Sequence, residues 1–287
     1  MEWAAHENSW PHAAHSDFID CKPHRWHVQQ MGTGPLLLLI HGAGGGTQSW
    51  RHLLPLLAEH YRVVAVDLPG QGFTRSGAWQ RLGLAPMAQD LNALCADQGW
   101  VPQAIIGHSA GAAIALQMTL HMSPAPPVIG INAALGNFKG IAGLLFPVMA
   151  KALAMTPWVA RLFTASTSRP QSVTRLIEGT GSKLPEEELR WYRALIGDER
   201  HVDGTLAMMA QWDLNPLLRA LPHHKAHVLL VVGDRDKAVP PSTSVDVAAK
   251  MPQATSLSLP GLGHLAHEED APAVLKAITP FLRSEIS

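Results

Sequence analysis

The chain has little of several features that would place it in a specialised class of protein. Its 287 residues include only two cysteines, and 22 lysines and arginines against 23 acidic side chains leave a formal net charge of −1. Cys21 and Cys95 allow at most one disulfide, so we expect a reduced, cytoplasmic protein. The balanced charge gives no electrostatic basis for binding nucleic acid.

Long apolar segments are also missing. No stretch reaches the roughly 20 apolar residues that a membrane-spanning helix needs. Residues 1–7 carry neither a basic patch nor a following apolar run, so we expect no secretory signal there. With 47% hydrophobic residues, the chain is long enough to bury one large core that carries an insertion.

The most informative motif is Gly-x-Ser-x-Gly at residues 107–111. An apolar run at 103–106 precedes it and a longer one at 112–122 follows, which predicts a strand, a tight turn and a helix. A serine on such a turn presents its hydroxyl as a nucleophile, and the flanking glycines let strand and helix approach closely. We therefore predict that Ser109 is a catalytic nucleophile; an ordinary glycine-serine loop is the alternative.

A serine nucleophile needs a base to take its proton and a carboxylate to orient that base. A predicted strand at 228–232 runs into a turn with two aspartates. Asp236 is the predicted acid. Asp234, directly after a glycine, is the rival and is more typical of a turn cap that binds backbone N–H groups. His264 is the predicted base, because it follows a strand and a glycine loop, where open parallel sheets gather their sites.

The tetrahedral intermediate of acyl transfer carries an oxyanion that requires N–H donors already in position. A predicted strand ends in His-Gly-Ala-Gly-Gly-Gly at 41–46, which we call the oxyanion loop. The N–H groups of Ala43 and Ala110 are the predicted donors, and Gly42 and His108 are predicted to line the substrate site. A phosphate-binding loop is excluded by spacing, because neither Gly-x-Gly-x-x-Gly with a later acidic residue nor a Gly-Lys-Ser/Thr ending is present.

The remaining patterns predict an α/β core interrupted by a helical insertion. Strands and helices alternate until residue 134, and the alternation returns near residue 226. Residues 1–133 and 226–287 are predicted to form a mostly parallel sheet with helices on both faces. Residues 134–225 show helical patterns and proline breaks without a convincing strand, which predicts a helical cap. Besides the strands named above, the patterns predict strands at 26–30, 36–40, 63–66, 128–132 and 257–259.

The cap composition favours an apolar ligand. From residue 141 the apolar side chains follow a helical period, and the opposite face is little more polar. Such a helix must pack against protein, bind a lipophilic ligand or touch a membrane surface. Leu145 of this helix and the cluster Met208, Met209 and Trp212 are predicted substrate contacts, with ordinary core packing as the alternative.

Sixteen histidines raise the question of a metal site. His24 and His27 are three residues apart, and three more lie at 223, 224 and 227. No carboxylate cluster accompanies them, and Mg²⁺ prefers oxygen ligands. We predict no metal site and no cofactor, and expect these histidines to be solvated at the surface. Axial contact to a porphyrin metal is the alternative.

Nucleophile, acid, base and oxyanion loop occur in the order and contexts of the α/β-hydrolase superfamily, which the chain resembles. The segment Val-Val-Ala-Val-Asp-Leu-Pro-Gly-Gln-Gly at 63–72 adds to the likeness. The resemblance implies an α/β-hydrolase fold and a Ser-Asp-His triad. Relatives with dehalogenase or epoxide hydrolase chemistry use an aspartate where this chain has Ser109, so those activities are disfavoured.

A narrower resemblance, nearly end to end, is to the magnesium-chelatase accessory proteins of bacteriochlorophyll biosynthesis. It is carried by the Trp-rich N-terminus and by segments at 25–29, 107–114, 140–143, 180–182, 201–202, 208–214 and 259–269. The glycines at 44–46 depart from the family, in which we would expect more alanine. The resemblance implies a role near magnesium insertion into protoporphyrin, with a tetrapyrrole as ligand, magnesium chelatase subunits as partners and peripheral contact with the inner membrane as an option.

Two functions of different classes follow. The first is a serine hydrolase that acts on an ester or acyl bond of a lipophilic substrate, for which the triad argues. The second is a non-catalytic porphyrin-binding accessory or carrier protein for magnesium chelatase. A general carboxylesterase is a further alternative if no tetrapyrrole binds.

Overall fold

The structure is a computed structural model and describes residues 1–136 and 170–286. Within these residues, eight strands form one sheet in the order β1-β2-β4-β3-β5-β6-β7-β8. Strands β3 to β8 run parallel, β2 is antiparallel to β4, and β1 is antiparallel to β2. The strands are β1 Ser16–Cys21, β2 His24–Met31, β3 Leu36–Ile40, β4 Arg62–Val66, β5 Ala104–His108, β6 Val128–Ile131, β7 Val228–Gly233 and β8 Ala254–Leu259.

The α-helices of the described residues cover both faces of this sheet. Helices α2 and α3 pack on one face, and helices α1 and α10 pack on the other. In chain order the helices are α1 Leu53–Ala58, α2 Leu84–Asp97, α3 Ala110–Thr119, α4 Pro170–Gly179, α5 Leu189–Ile196, α6 Glu199–Ala210, α7 Asn215–Ala220, α8 Ser242–Ala248, α9 Ala266–Glu269 and α10 Ala271–Glu285.

Strand β3 shows why this sequence forms a doubly covered sheet. All five of its aliphatic side chains are buried, as expected of a parallel strand with helices on both faces. Leu38 and Ile40 join the core under α2 and α3, whereas Leu37 and Leu39 join the core under α1 and α10. Burial of each such side chain stabilises the fold by about 1.5–3 kcal/mol.

The predicted fold class is confirmed, with one correction to the strand list. The prediction that the sheet begins at residue 26 is wrong, because β1 precedes β2 as an antiparallel edge strand. Its residues alternate between exposed aspartates and partly or fully buried positions, over a segment too short and too polar to stand out from a loop. Pairing with β2, a tertiary contact, determines its strand conformation.

Between β6 and β7 the chain leaves the sheet. Residues 170–225 contain helices α4 to α7, and this described stretch holds no strand. Leu145 and the predicted apolar helix from residue 141 lie outside the described residues, so the cap boundaries of 134 and 225 stay a prediction. In residues 1–136 and 170–286, no helix combines the length and the apolar composition needed to cross a bilayer.

Candidate active site

Ser109 lies on the turn between β5 and α3. Its φ of 52° and ψ of −116° are backbone angles that a non-glycine residue rarely adopts, and a strained strand-to-helix turn imposes them. A Cβ on Gly107 would lie 2.4 Å from the Gly111 carbonyl, and a Cβ on Gly111 would lie 2.1 Å from the Ile40 carbonyl oxygen. Only glycine at both positions lets the turn fit between the strand and the helix.

A hydrogen-bonded chain joins Ser109 to the predicted base and acid. Ser109 Oγ lies 3.0 Å from His264 Nε2, and His264 Nδ1 lies 2.8 Å from Asp236 Oδ2. Because an ionised carboxylate only accepts hydrogen bonds, Nδ1 carries the ring proton and Nε2 is free to accept the serine proton. His264 and Asp236 are both buried, so little water competes for these bonds.

The two candidate aspartates have different partners. Asp236 Oδ1 accepts hydrogen bonds from the backbone N–H groups of residues 238 and 239, both at 2.8 Å, which leaves Oδ2 facing the histidine ring. Asp234 Oδ1 accepts a hydrogen bond from the Gly261 N–H at 2.7 Å. Asp236 therefore contacts the His264 ring, whereas Asp234 ties its turn to the loop that precedes His264.

The oxyanion loop lies against the nucleophile turn. A Cβ on Gly42 would be 2.9 Å from Ser109 Cβ. The buried His41 ring accepts a hydrogen bond from the Leu68 N–H through Nε2 at 2.9 Å, so Nδ1 carries the proton and donates to the Gly42 carbonyl at 2.7 Å. Since the peptide between Gly42 and Ala43 is trans and planar, the Ala43 N–H points away from that ring.

Residues 180–182, which follow α4, join the loops that carry the acid and the base. The carbonyl of residue 180 accepts a hydrogen bond from the Lys237 N–H at 3.0 Å, next to Asp236. The buried Ser182 Oγ accepts a hydrogen bond from the Leu265 N–H at 2.8 Å, next to His264. This segment therefore fixes the spacing between the two loops.

Comparisons with known proteins identify the family of this chain. The family model described as the alpha/beta hydrolase fold matches residues 35–271. The chain belongs to the α/β-hydrolase family.

Individual relatives show which members of the family this α/β-hydrolase is similar to. The chain is 45% identical to the magnesium-chelatase 30 kDa subunit of Rhodobacter capsulatus, over 96% of each chain. It is 27% identical to a pimeloyl-[acyl-carrier protein] methyl ester esterase of Xanthomonas oryzae pv. oryzae, over 90% of this chain and 99% of the relative. An esterase structure from Exiguobacterium antarcticum has a TM-score of 0.76 at 18% identity, covers 93% of this chain and 98% of its own, and shows the fold alone. Both family resemblances inferred from the sequence are confirmed.

The predicted cap contacts lie in different environments. Met208 is 1% exposed and belongs to the main core, where its sulfur accepts a hydrogen bond from Gln71 Nε2 at 3.1 Å. Met209 and Trp212 are half-buried, and Trp212 packs against the same core. Leu145 lies outside the described residues. In this structure, Met208 packs in the core. Substrate contact by Met208, Met209 and Trp212 stays a prediction.

His108 contacts the base loop. Its ring is buried, and its Nε2–H donates a hydrogen bond to the His264 carbonyl at 2.9 Å. The ring centroids of His108 and His264 are 4.8 Å apart, and those of His108 and His267 are 4.5 Å apart. Burial, reinforced by the neighbouring histidines, holds the pKa of His108 well below its usual value, so the ring is neutral at pH 7.

Half of the sixteen histidines are buried. The expectation of solvated rings at positions 24, 27 and 224 is therefore wrong. His24 Nε2 lies 3.0 Å from Asp90, His27 Nδ1 lies 2.8 Å from Asp67, and the ring of His224 bonds to backbone. Asp90, Asp67 and, for His224, the Leu116 carbonyl are all distant in sequence from the ring that they contact, so spacing along the chain cannot indicate these contacts.

These buried rings predict that acid destabilises the protein. Burial lowers the pKa of six of them, and with the neighbouring His41 it lowers the pKa of His201 to about 4. An unfolded histidine titrates near pH 6.5, so between about pH 6.5 and 4 the unfolded chain binds more protons than the folded protein does. The free energy of unfolding therefore decreases as the pH is lowered through this range. For His201 alone the loss by pH 4 is about 3 kcal/mol.

Urea unfolding measured from pH 8 to pH 4 checks this prediction. The midpoint should be nearly constant above pH 7 and should fall steeply below pH 6.5. His201→Gln should flatten part of that fall. A midpoint that stays constant down to pH 5 would contradict the assignment of neutral buried rings.

A second chain of serine, histidine and aspartate lies away from Ser109. Ser16 Oγ is 3.0 Å from His27 Nε2, and His27 Nδ1 is 2.8 Å from Asp67. Burial would raise the pKa of Asp67, but His27 and the N–H of Phe73 hold it below its usual value. Ser16 begins an edge strand with extended backbone instead of a tight turn. This chain links β1, β2 and the segment after β4, which is a structural role.

The sequence-based prediction missed Asn132. This buried residue directly follows β6 with a left-handed φ of 48°, and its Nδ2 donates a hydrogen bond to Asp236 Oδ2 at 2.7 Å. Asparagine is among the residues that tolerate this backbone region. A polar residue at the carboxyl end of a buried strand was the available signal, but the strand order that places β6 between β5 and β7 is a tertiary property.

Proposed function

We propose that this α/β-hydrolase is a serine hydrolase that cleaves an ester or related acyl bond of a lipophilic substrate. One observation carries the proposal. A hydrogen-bonded chain runs from Ser109 Oγ to His264 at 3.0 Å and from His264 to Asp236 at 2.8 Å, and Ser109 itself lies on a strained nucleophile turn. A serine, a base within hydrogen-bonding distance and a third group that orients the base are what nucleophilic acyl transfer requires.

In the proposed reaction, Ser109 Oγ attacks the carbonyl carbon while His264 Nε2 takes the hydroxyl proton. The N–H groups of Ala43 and Ala110 stabilise the negative charge that develops on the carbonyl oxygen. The ester C–O bond then breaks, and His264 returns the proton to the leaving alcohol. A water then attacks the acyl carbon while His264 takes one of its protons. The bond between that carbon and Ser109 Oγ breaks, the acid leaves, and His264 returns the proton to Ser109 Oγ. Asp236 keeps the Nδ1 proton in place and stabilises the imidazolium throughout.

The relatives bear on the biological role of this protein. The relative at 45% identity is named as a magnesium-chelatase subunit, which supports association with that chelatase. Together with the resemblance carried by the sequence segments, it supports a role near magnesium insertion in bacteriochlorophyll biosynthesis. It also favours a second candidate, a non-catalytic accessory protein that binds a porphyrin for magnesium chelatase. The esterase relative at 27% identity fits a general carboxylesterase. We rank the hydrolase first because function is better argued from the site than from a name.

Pigment synthesis in a phototrophic bacterium separates the two main candidates. The chromosomal copy is replaced by Ser109→Ala, with Ser16→Ala as a control that alters the other serine-histidine pair. Loss of bacteriochlorophyll in Ser109→Ala, with the protein folded and normally abundant, supports the hydrolase. Normal pigment in Ser109→Ala supports the carrier and overturns the hydrolase.

For the ligand, we expect protoporphyrin and its magnesium form to bind with micromolar Kd and to quench tryptophan fluorescence. A micromolar Kd corresponds to about −8 kcal/mol, which burial of a flat aromatic ligand can supply without a metal ligand. Ser109→Ala should keep the affinity, whereas Trp212→Ala should weaken it about tenfold, or 1.4 kcal/mol.

Trp191→Ala is the control for this titration. Trp191 is also half-buried but lies on α5, and its loss should leave the Kd unchanged. If neither tetrapyrrole binds and a small acyl ester is cleaved instead, the pathway assignment fails and the general carboxylesterase is supported.

A further inference from the structure

We infer that two residues outside the predicted site, His201 and Gln71, position the oxyanion loop through Gly44, so that hydrolysis depends on the packing of helix α6. His201 lies on α6, and Gln71 lies in the segment after β4. The inference rests on the proposed function, because it concerns the loop that would stabilise the oxyanion.

His201 connects three parts of the molecule with one ring. It is 2% exposed, and its Nδ1 accepts a hydrogen bond from the Gly72 N–H at 2.9 Å. A neutral imidazole has a single N–H, so that proton is on Nε2, which donates to the Gly44 carbonyl at 3.2 Å. The ring therefore joins α6, the segment after β4 and the oxyanion loop.

Gln71 makes the complementary contact. Its side chain is buried, with Oε1 accepting a hydrogen bond from the Gly44 N–H at 2.8 Å and Nε2 donating to Met208 Sδ at 3.1 Å. Both backbone polar groups of Gly44 are thus held, the N–H by Gln71 and the carbonyl by His201. Both contacts lead to α6, which carries His201 and Met208.

The position of Gly44 determines where the Ala43 peptide points. Gly44 follows Ala43 directly, has a φ of +77° and is the first of three consecutive glycines. Glycines have broad conformational freedom, so the loop needs contacts from outside to stay in one arrangement. An oxyanion donor must be in place before the charge develops, and a misplacement of about 1 Å can cost about 100-fold in rate.

The test compares two variants with a matched control. His201→Ala removes the contact with the Gly44 carbonyl, and Gln71→Leu removes the contact with the Gly44 N–H at similar side-chain volume. His224→Ala is the control, because His224 is also 2% exposed, accepts a backbone N–H through Nδ1 and bonds a backbone carbonyl through Nε2. Circular dichroism and urea unfolding establish that each variant is folded.

The measured quantities are kcat and KM for an ester and the rate of labelling by a fluorophosphonate. In labelling, the bond between Ser109 Oγ and phosphorus forms, fluoride leaves, and His264 takes the proton. We expect His201→Ala and Gln71→Leu each to lower kcat and the labelling rate by roughly 10- to 100-fold, with KM nearly unchanged. The double variant should lose little more, because both residues act on Gly44. His224→Ala should keep both rates within about threefold.

The outcomes distinguish failure of the inference from failure of the proposed function on which it rests. A wild-type protein that is neither labelled nor able to hydrolyse an ester overturns the proposed function, and the inference with it. A reactive wild type together with wild-type rates in Gln71→Leu overturns the inference alone. If His201→Ala does not fold, Gln71→Leu decides the question. An equal loss of kcat in His224→Ala also overturns the inference, since it would show a general effect of lost stability.

Discussion

Replacing Ser109 by alanine is expected to abolish fluorophosphonate labelling and to lower kcat/KM for an ester by about 10⁴-fold or more. The serine hydroxyl is the group that forms the covalent bond, and His264 Nε2 lies 3.0 Å from it, within reach of its proton. His264→Ala should have a loss of similar size, because nucleophile and base act as a unit. Labelling is followed by mass spectrometry and hydrolysis by stopped assays.

Ser16→Ala is the informative control for this experiment. Ser16 Oγ lies 3.0 Å from His27 Nε2, the same distance as Ser109 Oγ from His264 Nε2. The His27 ring also contacts a buried aspartate. Because Ser16 begins an extended edge strand, we expect it to take no label and its loss to leave the activity unchanged. Equal labelling of wild type, Ser109→Ala and His264→Ala would remove the triad from the proposed mechanism.

Asp236→Asn is expected to lower kcat by roughly 10³- to 10⁴-fold, while Asp234→Asn stays within about tenfold of wild type. An asparagine at 236 can place an N–H where the carboxylate now accepts from His264 Nδ1. The ring would then put its proton on Nε2, and it could no longer accept the serine proton. Asp234→Asn keeps an oxygen that can accept the Gly261 N–H, so its turn should hold.

The two variants are compared by kcat, KM and the rate of labelling at pH 8. The two substituted positions are close in sequence, and each substitution removes one negative charge, so a difference between the variants cannot result from net charge. A larger loss in Asp234→Asn than in Asp236→Asn would mean that the acid has been assigned to the wrong aspartate.

Much of this molecule could be predicted from its local patterns. The Gly-x-Ser-x-Gly turn, the buried strands β3 and β7 and the glycine loops each leave a signal in consecutive residues, glycines for the turns and unbroken aliphatic runs for the strands, so composition and spacing indicate them. The polar, half-exposed β1 and the buried rings of His24, His27 and His224 were not predicted. Their conformation and burial depend on residues distant along the chain: β1 on pairing with β2, and the rings on the partners that bury them.

The sequence by itself determined the fold class, the family and the three residue types proposed for catalysis, because a nucleophile turn and a buried parallel strand leave recognisable patterns in consecutive residues. Only the tertiary structure decided which aspartate meets His264, since Asp234 and Asp236 share one turn and differ in the direction of their side chains. It also decided that Asn132, His201 and Gln71 surround the site. Hydrogen bonds across the sheet and between α6 and the oxyanion loop depend on strand order and helix packing, which chain spacing does not encode.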